Sequence, residues 1–201
     1  WIVATALSLA ATTRGQWLLF ERLAWLGTVG VPASWVVFAL KYTGYGDEVT
    51  RRSVALLALP AVAMLGLVWT NPIHELAWSA PVRVTYTEGI AVGTRQFGPA
   101  FWAFLAYSYT LVLAGVVFVL RLVFTADHLF VDQGFALLLG VSVPLFANLL
   151  SVTRVVVPVP GLDLTPFAFT VSGLTYGYAF YRSNLLELTP ATRQIGRTAV
   201  V

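Results

Sequence analysis

The sequence lacks cysteine entirely and has very few charged residues. Of its 201 residues, 10% are charged and 58% are hydrophobic, and the mean hydropathy is +0.80. Soluble domains carry roughly 25% charged residues because their surfaces face water, so this composition predicts an integral membrane protein. The absence of cysteine excludes disulfides, thiol chemistry and cysteine-ligated metals. The net charge of +3 comes from arginines at the ends of apolar runs and does not indicate a nucleic-acid partner.

Six apolar runs alternate with polar loops along the chain. A spanning helix needs about 20 mostly apolar residues, so the first run, residues 1–12, is too short to span alone. The triplet Arg14-Gly15-Gln16 predicts a tight turn after it. Pro60 and Pro144 predict bends within two later helices. We expect five further helices, at residues 17–42, 53–69, 99–124, 132–153 and 162–181. The predicted fold class is an all-α, polytopic transmembrane helix bundle.

One stretch between the third and fourth long runs has a different pattern. Residues 82–87 alternate apolar and polar side chains, Glu88-Gly89 can form a turn, and residues 90–92 are apolar again. Alternation with a period of two around a glycine turn is typical of a β-hairpin. We therefore expect a small extracellular hairpin on the membrane surface, within a loop at about residues 73–98.

The distribution of basic residues predicts the orientation of the bundle. The 12 lysine and arginine residues divide seven to five between the two sides of the predicted topology. Basic residues favour the cytoplasmic side of short loops. This predicts a multi-pass protein of the cell membrane with a cytoplasmic C-terminus and an external hairpin.

The reactive residues do not form a catalytic set. The only lysine, Lys41, ends the second run, whereas a retinal Schiff base needs a lysine in the middle of the last span. The two histidines, His74 and His128, fall on opposite faces of the membrane in the predicted topology. The sequence therefore predicts no enzyme, no cofactor and no metal site.

Polar groups inside apolar runs are the main functional candidates, because burying them in lipid is costly. Glu21 and Arg22 are adjacent and diverge by about 100° on a helix, so they do not pair. Glu21 either lies at the outer interface or lines an outward cavity, where it binds a ligand or pairs with an arginine. Asn148, deep in the fifth run, either bonds between helices or contacts a ligand.

Three other residues have both a structural and a functional interpretation. Asp163 caps the sixth helix, where an acid is favourable, or takes part in a site. His74 follows Asn71-Pro72 and predicts an exposed ring in a turn, and Tyr107 either packs or lines a pocket. The candidate ligand-binding set in the outer half of the bundle is Glu21, Trp25, His74, Tyr107, Asn148 and Asp163.

Several short motifs occur together in a characteristic order. They are Phe38–Gly44, Trp69–His74, Gly98–Trp102 followed by Tyr107–Tyr109, Ala147–Leu150, Pro160–Pro166, and Tyr181-Arg182 leading into Leu185–Leu188. In this order and spacing they resemble the seven-helix N-terminal sensor region of membrane histidine kinases, in the form common among haloarchaea. The resemblance covers nearly the whole chain.

The resemblance implies a sensory input module that relays a signal to PAS and kinase domains of the same chain. Residues 1–183 would be the transmembrane sensor domain, with the first of seven helices preceding them, and residues 184–201 would begin a cytoplasmic connecting helix. A homodimer is implied by the resemblance alone. The chain itself has no phosphoacceptor histidine box and no ATP-binding motif.

The expected mechanism is a bundle with two alternative packings. An unknown small or lipid-like ligand, or membrane tension, would shift the balance between them, and the last helix would carry the change inward. A transporter or a carrier of an apolar or lipid-like substrate is the main alternative, although a polar path would need more midspan charge than this chain has. A structural anchor for a kinase is the third interpretation.

Overall fold

A computed structural model describes residues 1–79, 82–87, 89–125, 128–154 and 161–183. The all-helical class with one small hairpin is confirmed. Within these residues the helices are α1 (Ile2–Leu9), α2 (Arg14–Tyr42), α3 (Arg51–His74), α4 (Pro99–Thr125), α5 (His128–Thr153) and α6 (Thr165–Ser183), with a short 3-10 turn at Gly46–Glu48. The strands are β1 (Arg83–Thr87) and β2 (Ile90–Thr94). The predicted connecting helix at residues 184–201 lies outside the described residues.

Four helices are long and apolar enough to cross a membrane. They are α2, α3, α4 and the part of α5 at Gln133–Thr153. The eight residues of α1 are too few for a span, and α6 is not among the four found in the described part of the chain. The predicted multi-pass membrane bundle is confirmed, with four candidate spans among the described residues where the sequence has six apolar runs.

Three helices, α2, α3 and α5, begin earlier than the sequence suggests, and threonines cap the first two. The hydroxyl of Thr13 accepts a hydrogen bond from the Gln16 N–H at 3.3 Å, so the predicted tight turn at residues 14–16 is wrong and is instead the first turn of α2. Thr50 and Ser53 form a reciprocal capping box, with hydrogen bonds of 3.1 and 2.8 Å. Each cap satisfies backbone donors that a helix start leaves unpaired.

The end of α3 is also later than expected. The helix continues past Pro72 to His74 and stops where Glu75 takes a left-handed conformation, with φ of 52°. Just before this end, buried Asn71 accepts hydrogen bonds from the backbone N–H groups of Ala77 (2.9 Å) and Trp78 (3.2 Å). The Asn71 amide thus fixes the turn that leads into the hairpin.

The hairpin lies against one end of the bundle. β1 and β2 pair in antiparallel register from Arg83 with Thr94 to Thr87 with Ile90, which confirms the predicted hairpin. β1 is mostly exposed, whereas Ala91 and Val92 of β2 are buried. Residue 93 must be glycine, because a Cβ there would lie 2.2 Å from ring carbons of Trp17 on α2.

The helices pack around α2, which contacts α1, α3 and α4, while α4 contacts α5 and α5 contacts α6. Two groups of buried side chains mark the two ends of the bundle. At the end that carries the hairpin, here called the hairpin end, the core includes Trp17, Trp25, Met64, Val68, Trp78, Phe101 and Phe104. At the opposite end, it consists of Ala39, Tyr42, Val119, Val123 and Leu137.

Candidate functional site

A cavity of about 280 Å³ opens at the hairpin end. Its walls come from α1, α2, β2, the start of α4, the end of α5 and the residues just before α6. We call it the hairpin-side cavity. Its charged lining residues are Glu21, Arg95, Arg154 and Asp163.

Glu21 forms an ion pair with Arg95 across this cavity. The distance from Arg95 Nη1 to Glu21 Oε2 is 2.8 Å, and the two side chains are 20% and 16% exposed. The Ser8 hydroxyl donates to Glu21 Oε1 at 3.2 Å. Arg22 turns away, with its guanidinium 5.8 Å from the centre of the Trp69 ring. Glu21 therefore pairs with an arginine, as one of its two interpretations predicts, and joins α1, α2 and the segment after β2.

The guanidinium of Arg95 is held by aromatic rings as well as by Glu21. It lies 5.1 Å from the centre of the Trp78 ring and 5.9 Å from that of Trp17, both within the range of cation–π attraction. The sequence analysis did not identify Arg95. The position of Glu21 inside an apolar run indicates that it has a cationic partner. The sequence does not show that this partner is Arg95, because Arg95 lies 74 residues away and reaches Glu21 only in the folded structure.

Arg154 follows α5 in an unusual backbone conformation. Its φ of 57° is left-handed, a region that side-chain-bearing residues seldom occupy. Its Nη2 donates to the backbone carbonyl of Arg95 at 2.6 Å, and its guanidinium lies 5.8 Å from the centre of the Phe97 ring. Arg154 is thus a second arginine at the cavity that the sequence analysis did not identify.

Asp163 lies just before α6 and organises its start. Its Oδ1 accepts hydrogen bonds from the N–H (2.9 Å) and the hydroxyl (2.6 Å) of Thr165, the first residue of the helix. Burial raises the pKa of the Asp163 carboxyl above its ordinary value, and the nearby Glu21 adds to this. The hydrogen bonds from Thr165 and the charge of Arg95 offset part of the increase. Asp163 both caps α6 and lines the cavity.

Asn148 joins three helices at the floor of the cavity. Its Oδ1 accepts from the Tyr109 hydroxyl of α4 at 2.9 Å, and its Nδ2 donates to the Thr165 hydroxyl of α6 at 3.1 Å. These are the interhelical hydrogen bonds that one interpretation of Asn148 predicts. Tyr109 is a further residue of the site that the sequence analysis did not select.

A second cavity, of about 220 Å³, lies deeper in the bundle. We call it the mid-bundle cavity. It shares Trp1, Trp25, Thr28, Phe101 and Asn148 with the hairpin-side cavity. The Trp25 ring lies 6.3 Å, centre to centre, from that of Phe101. Most of the other lining side chains are apolar or aromatic: Val31, Pro32, Trp35, Phe104, Leu105, Val112, Val141, Pro144, Leu145, Phe169 and Tyr176.

Two proline residues lie in the wall of the mid-bundle cavity. Pro32 in α2 and Pro144 in α5 lack an N–H, so the carbonyl groups of Thr28 and Gly140, four residues earlier, lose their usual helical donor. All four residues line this cavity. The sequence analysis identified Pro144 but not Pro32, and Pro60, its other expected bend point, lines neither cavity.

Two of the six candidate residues lie away from both cavities. The His74 ring bonds to Thr70 (2.9 Å) and accepts from the Leu76 N–H (3.0 Å) at the end of α3. The Tyr107 hydroxyl donates to the Leu57 carbonyl of α3.

The structure therefore brings together four of the six candidates, namely Glu21, Trp25, Asn148 and Asp163. Within the described ranges, no group of three or more histidine, aspartate or glutamate side chains is placed to hold a metal ion.

Comparison with known proteins identifies the family. A model of the N-terminal 7TM region of histidine kinase matches residues 1–190. No curated protein and no solved structure matches the chain. The match covers most of the sequence and agrees with the apolar spanning helices described above. The chain belongs to the family of N-terminal 7TM regions of histidine kinases.

Proposed function

We propose that this region is the sensory input module of a histidine kinase and that the two joined cavities form its ligand site. The observation that carries the proposal is the family match over residues 1–190. Membership of this family places the region in the lipid bilayer, within the same chain as a kinase. In the proposal, the signal passes to PAS and kinase domains at a cytoplasmic C-terminus, and the protein acts as a homodimer.

The proposed ligand-binding residues are Glu21, Trp25, Asn148 and Asp163. All four line the hairpin-side cavity, and each also bonds or packs against a second segment of the bundle. A ligand that displaced one of these bonds would act on two segments at once. The ligand would interact differently with the two alternative packings of the helices, so its binding would shift the balance between them.

The two prolines are positions at which a ligand in the cavities can change the bend of a helix and so move the last helix. Pro32 and Pro144 interrupt the backbone hydrogen bonds of α2 and α5 beside the mid-bundle cavity. A molecule there would press on helix segments that bend more easily than their neighbours. Because α5 packs along α6, a change in its bend would move the helix that leads to residues 184–201.

The free energy needed for this switch is modest. A ligand that binds one packing about tenfold better than the other shifts their balance by about 1.4 kcal/mol. An interaction of this size is available from one or two hydrogen bonds. The residues around Asn148 and Asp163 provide several such bonds.

A carrier function would require the cavities to reach the other face of the membrane. At the opposite end, however, Ala39 and Val119 are completely buried, and the Tyr42 hydroxyl donates to Gln133 at 3.1 Å. This tight packing favours a sensor over a carrier.

A substitution that fills the cavity tests the proposal without knowledge of the natural signal. Thr28→Leu adds apolar volume where the two cavities meet, and so mimics an occupant. In the full-length protein in nanodiscs, we expect the basal rate of autophosphorylation to change at least about threefold, because occupancy shifts the packing equilibrium. The matched control is Thr110→Leu, at an exposed position of α4.

Removing polar contacts provides a second arm of the same experiment. Glu21→Ala and Asn148→Ala should also change autophosphorylation, whereas Glu48→Ala, exposed at the opposite end, should not. If Thr28→Leu, Glu21→Ala and Asn148→Ala all fold normally and leave autophosphorylation unchanged, the cavities do not control the kinase.

A further inference from the structure

The hairpin-side and mid-bundle cavities have continuous walls. Trp1, Trp25, Thr28, Phe101 and Asn148 line both of them. Their volumes are about 280 and 220 Å³, larger than the cavity of about 150 Å³ that is sufficient for one benzene molecule. A single elongated molecule can therefore extend from one cavity into the other.

The two arginines of the hairpin-side cavity differ in their partners. Glu21 neutralises Arg95 by their direct ion pair. In the described part of the chain, Arg154 takes part in no ion pair, and its one side-chain hydrogen bond there goes to a backbone carbonyl. The other carboxyl of the cavity, that of Asp163, accepts two hydrogen bonds from Thr165 through Oδ1.

The backbone of Arg154 supports a functional role for its side chain. An arginine at φ of 57° carries conformational strain that glycine would avoid. The strained turn places the guanidinium beside the cavity, and among the described residues only its Nη2 has a hydrogen-bond acceptor, out of five N–H donors in the group. An arginine of this kind is suited to bind an anionic oxygen group.

The mid-bundle cavity offers the opposite environment. Trp35, Phe104, Val112 and Phe169 provide apolar walls, and the described lining contains no ionisable side chain apart from tyrosine. Each methylene group buried there should strengthen binding about fourfold. This part of the space suits a hydrocarbon chain.

We propose that the joined cavities bind one amphipathic anion, with a carboxylate or phosphate head group on Arg154 and a hydrocarbon chain in the mid-bundle cavity. The proposal names the ligand class of the sensory site and therefore rests on the function proposed above. The anionic head is specified by Arg154, which has no carboxylate partner among the described residues, and the chain by the apolar walls.

The test measures binding to the full-length protein in nanodiscs of zwitterionic phosphatidylcholine, with empty nanodiscs subtracted. The probes are dodecanoate, dodecyl phosphate and dodecanol, which share one chain and differ in the head group. We expect the better of the two anions to bind at least about tenfold more tightly than dodecanol, because charge-assisted hydrogen bonds replace neutral ones. That anion identifies the head group, and octanoate should bind more weakly than dodecanoate.

Arg154→Gly is the decisive variant. Glycine accepts the left-handed conformation without strain, so the fold should persist while the guanidinium is lost. The preference for anions over dodecanol should then fall below about threefold. Arg83→Gln, at an exposed position of β1 that lines neither cavity, should keep the full preference.

Three results would overturn the proposed ligand class: equal binding of anion and alcohol, an anion preference that survives Arg154→Gly, or no saturable binding above empty nanodiscs. A separate outcome would contradict the proposed sensory function. If the anion binds as expected but autophosphorylation responds neither to it nor to Thr28→Leu, the ligand class stands and the sensory role does not.

Discussion

The two ends of the bundle are built from the same long helices but are packed differently. At the hairpin end, large aromatic side chains such as Trp25 and Phe101 surround a cavity that also contains the Glu21–Arg95 ion pair. At the opposite end, Ala39 and Val119 are fully buried and the polar contact is a neutral hydrogen bond from Tyr42. One end has a cavity lined by charged and aromatic side chains, and the other has a core made mainly of small aliphatic side chains.

Side-chain size explains much of this difference. At the opposite end, a Cβ on Gly134 would lie 2.2 Å from a methyl group of Val123, so the glycine lets α5 approach α4 closely. Small residues at helix contacts allow such an approach within membranes. At the hairpin end, the rings of Trp17, Trp25 and Phe101 line the cavity.

The two ends should differ completely in their accessibility from outside the cell. This region has no native cysteine, so single cysteines can be introduced into it without removing any native ones from these residues. Tyr86→Cys on exposed β1 should be labelled by a membrane-impermeant maleimide in intact cells, and Asp47→Cys, at the opposite end, only after lysis. The reverse pattern would place the hairpin in the cytoplasm and contradict the proposed direction of signalling.

Truncating a core side chain should cost more at the hairpin end. Trp25→Ala removes a ring that contacts three aromatic neighbours, and we expect a loss of about 3 kcal/mol in the free energy of unfolding. Val119→Ala at the opposite end should cost about 1.5 kcal/mol. Thermal unfolding in nanodiscs measures both. Equal losses would show that Trp25 borders empty space without supporting the core.

The smallest expected effect is a pH dependence of the stability, which arises from one carboxyl group at the hairpin end. Burial raises the pKa of the Asp163 carboxyl, so the folded protein holds this proton more tightly than the unfolded chain. Its contribution to stability is complete below the ordinary aspartate pKa and is lost as the pH rises through the raised value. The melting temperature of Asp163→Asn should therefore decline less between about pH 4 and pH 8 than that of the unchanged protein. Parallel curves would contradict this assignment.

Much of the fold could be predicted because it depends on local patterns. The length of an apolar run determines whether a helix can cross the membrane, and alternation around Gly89 predicted the hairpin. The errors occurred at helix ends, where single side chains decide. Thr13 starts α2 before the predicted turn is complete, and Asn71 fixes the turn that follows α3.

The site was predicted only in part, because an apolar run gives depth in the membrane but not direction around the helix. Tyr107 and Tyr109 have similar depths but point to different sides of α4, and only Tyr109 reaches Asn148. The arginines were missed for another reason. Arg95 and Arg154 lie in segments between helices, and only the folded hairpin and the left-handed turn bring them to the cavity.

Only one strand of the hairpin packs against the bundle, so the hairpin is a suitable place for an experimental label. Since β2 holds the hairpin on the bundle and β1 faces away, the turn beside Gly89 can accept an inserted epitope or fluorophore without disturbing the Trp17 contact of Gly93. A reporter placed there would be carried by the segment that leads directly to Arg95. It would register the arrival of an occupant as a change in distance or brightness, before any phosphate is transferred.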